Sequence, residues 1–129
     1  MSRVPIDFDT VRRIGLSMPD VEEGTAYGSP ALKVRGKLMT CIPIHRSAEP
    51  DSLAVRIDFE KRSVLMAAVP DTYYLTDHYR DHPFVLVRLS RIGLDELRNL
   101  LQMASQFASA QAHGDGRSVR KRSRFRTRK

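Results

Sequence analysis

The chain has 129 residues, room for one domain of ordinary size and not for two packed ones. Hydrophobic residues at 41% supply a small core, and the single cysteine, Cys41, excludes an intrachain disulfide and a multi-thiolate metal site and points to a reducing, cytoplasmic setting. The formal charge of +7 is uneven: eight bases and no acid fall between Arg117 and Lys129, so the other 14 bases meet all 15 acids and the residues before Arg117 carry a net charge of about −1.

Asp7 is placed as an N-cap, and Phe8, Val11, Ile14 and Met18 follow at helical spacing until Pro19 stops the pattern. Asp20 to Pro30, with Gly24, Gly28 and Pro30, reads as a connecting loop. Ala31 to Arg35 and Leu38 to Pro43 form two short strands around an Arg-Gly-Lys turn. After a polar loop from His45 to Asp51, strict alternation from Ser52 to Phe59 gives a third strand. A short helix from Glu60 to Val69 ends at Pro70, and Thr72 to Leu75 and Phe84 to Leu89 are β-prone on either side of a polar loop. The last helix starts after Gly93, with Asp95 and Glu96 in its first turn and an apolar stripe from Leu94 to Ala108.

The order α-β-β-β-α-β-β-α predicts an α+β domain, an antiparallel sheet of four to five strands with helices packed mainly on one face, over residues 1–112. From His113 to Lys129 only Val119 and Phe125 are apolar, which predicts a disordered basic tail over 113–129. Residues 1–9 show no signal-peptide pattern. The longest apolar run, Val64 to Val69, falls far short of the roughly 20 residues a membrane span needs, so neither secretion nor membrane insertion is expected.

If the helices cover the face carrying Leu32, Val34, Leu53, Val55, Ile57, Val85 and Val87, the alternate positions put Lys33, Arg35, Arg56 and Arg88 from different strands on the other face. With Tyr73 or Tyr74 nearby, that face suits phosphates by charge and bases by stacking. The same side chains also suit a solvated face on which they pair with Asp58, Asp77 or Asp81. The terminal run, with Arg120, Lys121, Arg122 and Arg124 at its centre, suits counterion-releasing contact with a polyanion.

Other chemistries find little support. His78 and His82 have metal-ligand spacing only on a helix, which Pro83 opposes, so no metal is expected unless folding brings His45 and Cys41 close. Nothing local activates Cys41, no Gly-rich phosphate loop is present and no nucleophile–base pair is visible, so neither a catalytic residue nor a cofactor is expected. The segment from Tyr73 to Phe84 concentrates histidines, tyrosines and aspartates, and Tyr74, His78, Tyr79 and His82 are candidates for one wall of a small-molecule or protein-binding pocket.

Met18-Pro19-Asp20-Val21-Glu22-Glu23, Ala31 to Leu38, the block from Tyr73 to Leu89 and the leucine-rich last helix together resemble the MmcQ/YjbR family, over roughly Phe8 to Phe107. The resemblance implies a compact α+β domain, often described as a double-wing fold, similar in outline to the frataxin-like sandwich. It also implies DNA binding, ascribed to the family mainly from shape and basic patches, and it brings no catalytic residues. Lys33, Arg35, Lys37 and Arg88 match places where such proteins show polar or basic side chains. The chain departs from the pattern in its wholly basic end and in having Phe84 where many members have tryptophan. The expectation is a non-enzymatic DNA-binding protein contacting phosphates through Lys33, Arg35, Lys37, Arg56, Arg88 and the terminal bases. The alternative is a protein- or small-molecule-binding module whose globular part has no nucleic-acid role.

Overall fold

The computed structural model describes residues 6–121, with side chains as far as 112. Three helices, α1 (Phe8–Leu16), α2 (Phe59–Ala68) and α3 (Leu94–Lys121), accompany six strands: β1 (Val21–Ala26), β2 (Ser29–Val34), β3 (Lys37–Cys41), β4 (Ser52–Arg56), β5 (Tyr73–Tyr74) and β6 (Phe84–Arg88). The strands form one antiparallel sheet in the order β1-β2-β3-β4-β6-β5. The fold is therefore the expected α+β sheet with six strands rather than four or five.

The added strand is β1, where a loop was expected. Its residues Glu22, Glu23 and Thr25 are exposed, so it has no alternating apolar signature. Pairing with β2 makes it a strand: Tyr27 and Gly28 both take positive φ, 54° and 80°, and join Ala26 to Ser29 in a two-residue turn of the hand that matches strand twist. Arg35 and Gly36, at 52° and 82°, repeat the device between Val34 and Lys37.

One face of the sheet is covered. Leu32, Val34, Leu53, Val55, Ile57, Val85 and Val87 are buried there with Val11 of α1 and with Leu97, Leu100, Leu101, Ala104 and Ala108 of α3. The Asp7 carboxylate accepts from the Thr10 backbone N–H at 3.1 Å and caps α1. At the start of α3, the Gly93 N–H donates to the Glu96 carboxylate at 3.0 Å, half of a capping box. The α3 backbone stays helical to Lys121, past the stop expected at Ala112. Gly114 and Gly116 lower helix propensity without blocking the hydrogen-bond ladder, as proline would. The rest of the tail, 122–129, lies outside the described residues.

On the other face a second, smaller cluster of Ala31, Cys41, Ala54 and Leu86 packs against Leu38, Tyr74, Tyr79 and Phe84. None of α1, α2 and α3 contributes to it, and the candidate chemistry lies on this side.

Candidate functional site

Ala31, Cys41, Ala54 and Leu86 are cross-strand neighbours in one row, Ala31 beside Cys41, Cys41 beside Ala54 and Ala54 beside Leu86. Two alanines and a cysteine leave the middle of this face low, because side-chain volume there is small. Larger groups rise around it: Phe84 and Leu38 from the sheet, His78 and Tyr79 from a 3₁₀ turn at Asp77–Tyr79, and Ile44, His45 and Arg46 from the β3–β4 connection. The result is a groove of about 820 Å³, within the range typical of small-molecule sites.

Internal bonds hold its walls. The His45 and His78 rings stack at 3.7 Å, and Tyr79 meets His78 edge-on. His45 Nδ1 accepts from the Ser47 N–H at 3.1 Å, so in the neutral ring Nε2 carries the proton; the Ser47 hydroxyl then reaches that of Thr76 at 2.9 Å. Arg62 of α2 donates to the carbonyls of Arg80, His82 and Phe84 at 2.9–3.1 Å and fixes the wall that ends in Phe84.

Desolvation, then the neighbouring imidazoles of His45 and His82, holds His78 below the usual histidine range. Burial pushes the Cys41 thiol up to about 11, the opposite direction from an activated nucleophile. Burial also raises the Tyr79 phenol, with Cys41 and Tyr74 adding to the shift. Among the described residues no group of three His, Cys, Asp or Glu side chains is placed to hold a metal ion.

Of the four residues proposed for a pocket wall, His78, Tyr79 and His82 line the groove. Tyr74 stands apart from it: its hydroxyl accepts from the Glu49 N–H at 2.8 Å and bonds the Ser52 hydroxyl, while Arg88 lies over its ring at 4.3 Å. Sequence reasoning left out Arg46, Ile44 and Tyr27, which the β3–β4 connection and the β1–β2 turn bring to the groove, and it weighed His45 as a metal ligand and Cys41 as a metal ligand or a nucleophile.

The sheet cations are placed differently. Arg88 makes a two-pronged pair with Glu49 at 2.8 and 2.9 Å and donates to the carbonyls of Pro70 and Asp71. The contact lowers Glu49 and raises Arg88 in pKa, the shared hydrogen bonds being the largest cause in each. Arg56 donates to the Leu38 carbonyl at 2.5 Å and to the Gln111 amide oxygen at 2.7 Å, with Phe84 beneath its guanidinium at 4.8 Å. Arg35, at the β2–β3 turn, pairs with Asp20 at 3.1 Å. Lys33 stands opposite Glu22 in the strand register, and Lys37 is half-buried beside the turn. Arg56 faces Phe84 and Arg88 faces Ser52, at opposite ends of the β4–β6 ladder. The carboxylates that engage Arg35 and Arg88 are Asp20 and Glu49, whereas Asp58 caps α2 and pairs with Lys61, and Asp77 pairs with Arg80. Arg120 and Lys121 lie on the helical backbone of α3, and Arg122 and Arg124 lie outside the described residues.

Among solved structures the chain is similar to the crystal structure of the Deinococcus radiodurans protein DR2400, which carries the domain DUF419. The TM-score is 0.71 at 16% identity, over 93% of this chain and 91% of that one, a likeness of fold. No curated protein matches. The YjbR family model matches residues 16–106, a span that takes in every strand of the sheet and the start of α3, and the chain therefore belongs to the YjbR family.

Proposed function

We propose that the folded domain is a non-enzymatic binding module, in a cytoplasmic setting, whose site is the groove on the helix-free face of the sheet. The observation that carries this reading is the groove itself: a low floor of Cys41 and Ala54 enclosed by aromatic and imidazole side chains. Concave, mainly apolar sites with a few polar groups are the common form of small-molecule recognition. The raised thiol of Cys41, opposite in direction to an activated nucleophile, supports a role in binding rather than turnover.

A ligand that prefers the folded protein must raise its melting temperature. A thermal-shift screen of small molecules with the full chain is expected to give stabilising compounds whose effect shrinks in a Tyr79→Ala variant. A screen without stabilising compounds, or with compounds indifferent to Tyr79, contradicts the reading.

One observation favours a second reading, DNA binding: eight bases without an acid between Arg117 and Lys129. Such a run gains affinity for any polyanion by counterion release, with steep loss in salt. On this reading the terminal bases, joined by Lys33 and Lys37, contact phosphates, while Arg35, Arg56 and Arg88 serve the fold. Duplex DNA titrated into the full chain is expected to bind with a strong salt dependence. Replacing Arg120, Lys121, Arg122 and Arg124 together by Gln should cut the slope of log affinity on log salt by about three to four. An unchanged slope rules out the terminal run as the contact.

A further inference from the structure

The charge of the groove is as one-sided as its shape. Four of the residues that line it, His45, Arg46, His78 and His82, carry basic heads, and none of its described lining residues is an aspartate or glutamate. This contrasts with the rest of the domain, where Arg12, Arg35, Arg80 and Arg88 each meet a carboxylate. Arg46 is exposed and has no ion pair among the described residues. His45, its chain neighbour, stacks on His78, so the cation and two imidazoles belong to one end of the groove. The remainder is apolar: Leu38, Ala54 and Phe84 along the sheet, and Ile44 and Tyr27 at the rim, exposed at 60% and 86%. Large exposed apolar side chains beside a concave surface mark it as a contact surface.

An apolar trough with donors at one end and no competing acid complements an amphipathic anion. A guanidinium selects a flat two-oxygen head, because its paired N–H groups match a carboxylate in geometry as well as charge. We propose that the groove binds a small monocarboxylic acid with an apolar body, the body lying over Ala54 and Phe84 and the carboxylate held by Arg46 and the His45–His78 pair. The proposal rests on the groove being the domain's binding site and adds the chemistry of the occupant.

The test uses the full chain and three probe acids, octanoate, 4-phenylbutyrate and 1-naphthaleneacetate, each beside its neutral amide, followed by ¹H–¹⁵N chemical-shift titration. At least one acid is expected to shift amides around His45, Ala54 and Tyr79, with its amide about tenfold or more weaker. Arg46→Gln should remove most of that difference, and the Arg120, Lys121, Arg122, Arg124→Gln chain should keep it. An amide that binds the same residues as tightly as its acid overturns the carboxylate assignment and leaves the groove standing as a site. Shifts confined to the basic C-terminal residues overturn the assignment as well. Failure of all three acids and all three amides overturns both the assignment and the groove reading.

Discussion

Three arginines act inward, on the fold itself. Arg88 ties the β3–β4 connection to the approach to β5, Arg56 ties β4 to β3 and α3, and Arg62 collects three carbonyls of the segment before β6. Arg62→Ala leaves three carbonyls without this donor and is expected to cost about 1–3 kcal/mol in urea denaturation. Arg62→Lys recovers only part, since one ammonium cannot reach carbonyls that a planar fork spans. If Arg62→Ala is as stable as the parent, the fork does not hold that wall. Cys41 gives a second residue-level outcome. With its pKa at about 11, native protein at pH 8 should react with iodoacetamide on the order of a hundredfold more slowly than urea-unfolded protein. Equal rates would show that Cys41 is neither buried nor raised. None of the arginine contacts was legible in the sequence, because each joins residues 17 to 55 positions apart and most end on backbone oxygens that every residue type carries.

At the scale of elements, legibility followed periodicity. The stripe of α3 places Leu97, Leu100, Leu101, Ala104 and Ala108 in the helix-side core, and the alternation of β4 and β6 places Leu53, Val55, Val85 and Val87 there, as their spacing implied. Leu94 at the start of the stripe is exposed, and Phe59, expected to end a strand, opens α2 half-exposed. β1 has no such pattern and is a strand through its partner, so its only local sign was the Tyr27-Gly28 turn. The same packing explains Gly15 in the last turn of α1. A Cβ there would stand 2.4 Å from Leu32 Cδ1, and Leu32 is fully buried beneath it. Gly15→Val should therefore destabilise the protein by about 1–3 kcal/mol through overpacking, although glycine is a poor helix former. Loss of stability recovered by Leu32→Ala in the double variant would locate the clash. An unchanged urea midpoint in Gly15→Val would show that α1 does not press on β2.

For the whole molecule, acid should act in two stages. His78 is held below its usual range, so the unfolded chain takes up that proton first. Its contribution to stability is present above about pH 6.5 and is lost as pH falls from there to the lowered folded value. Glu49 is lowered first by the Arg88 hydrogen bond and Asp58 first by the Lys61 backbone N–H. Their contributions are present above the unfolded values near pH 4 and are lost as pH falls through the lower folded ones. Urea midpoints should decline between pH 7 and 5 and again below pH 4, with the first decline reduced in His78→Gln. A parent protein with no decline between pH 7 and 5 would contradict the assignment to His78.

Charge is the property of the whole chain that composition alone misplaces. A surplus of +7 invites a basic face, yet the surplus sits in the terminal run, and the sheet arginines are engaged within the fold. The groove was half legible: His78, Tyr79 and His82 stood out as a cluster, whereas the floor and opposite wall depend on strand register and loop return. The central claim is that Arg56 and Arg88 hold the structure and do not read phosphates. It is tested most directly by titrating duplex DNA into the full-length Arg56→Ala, Arg88→Ala double variant while following its urea midpoint. The account predicts a lower midpoint with DNA affinity and salt slope unchanged; an unaltered midpoint with clearly weakened DNA binding would contradict it.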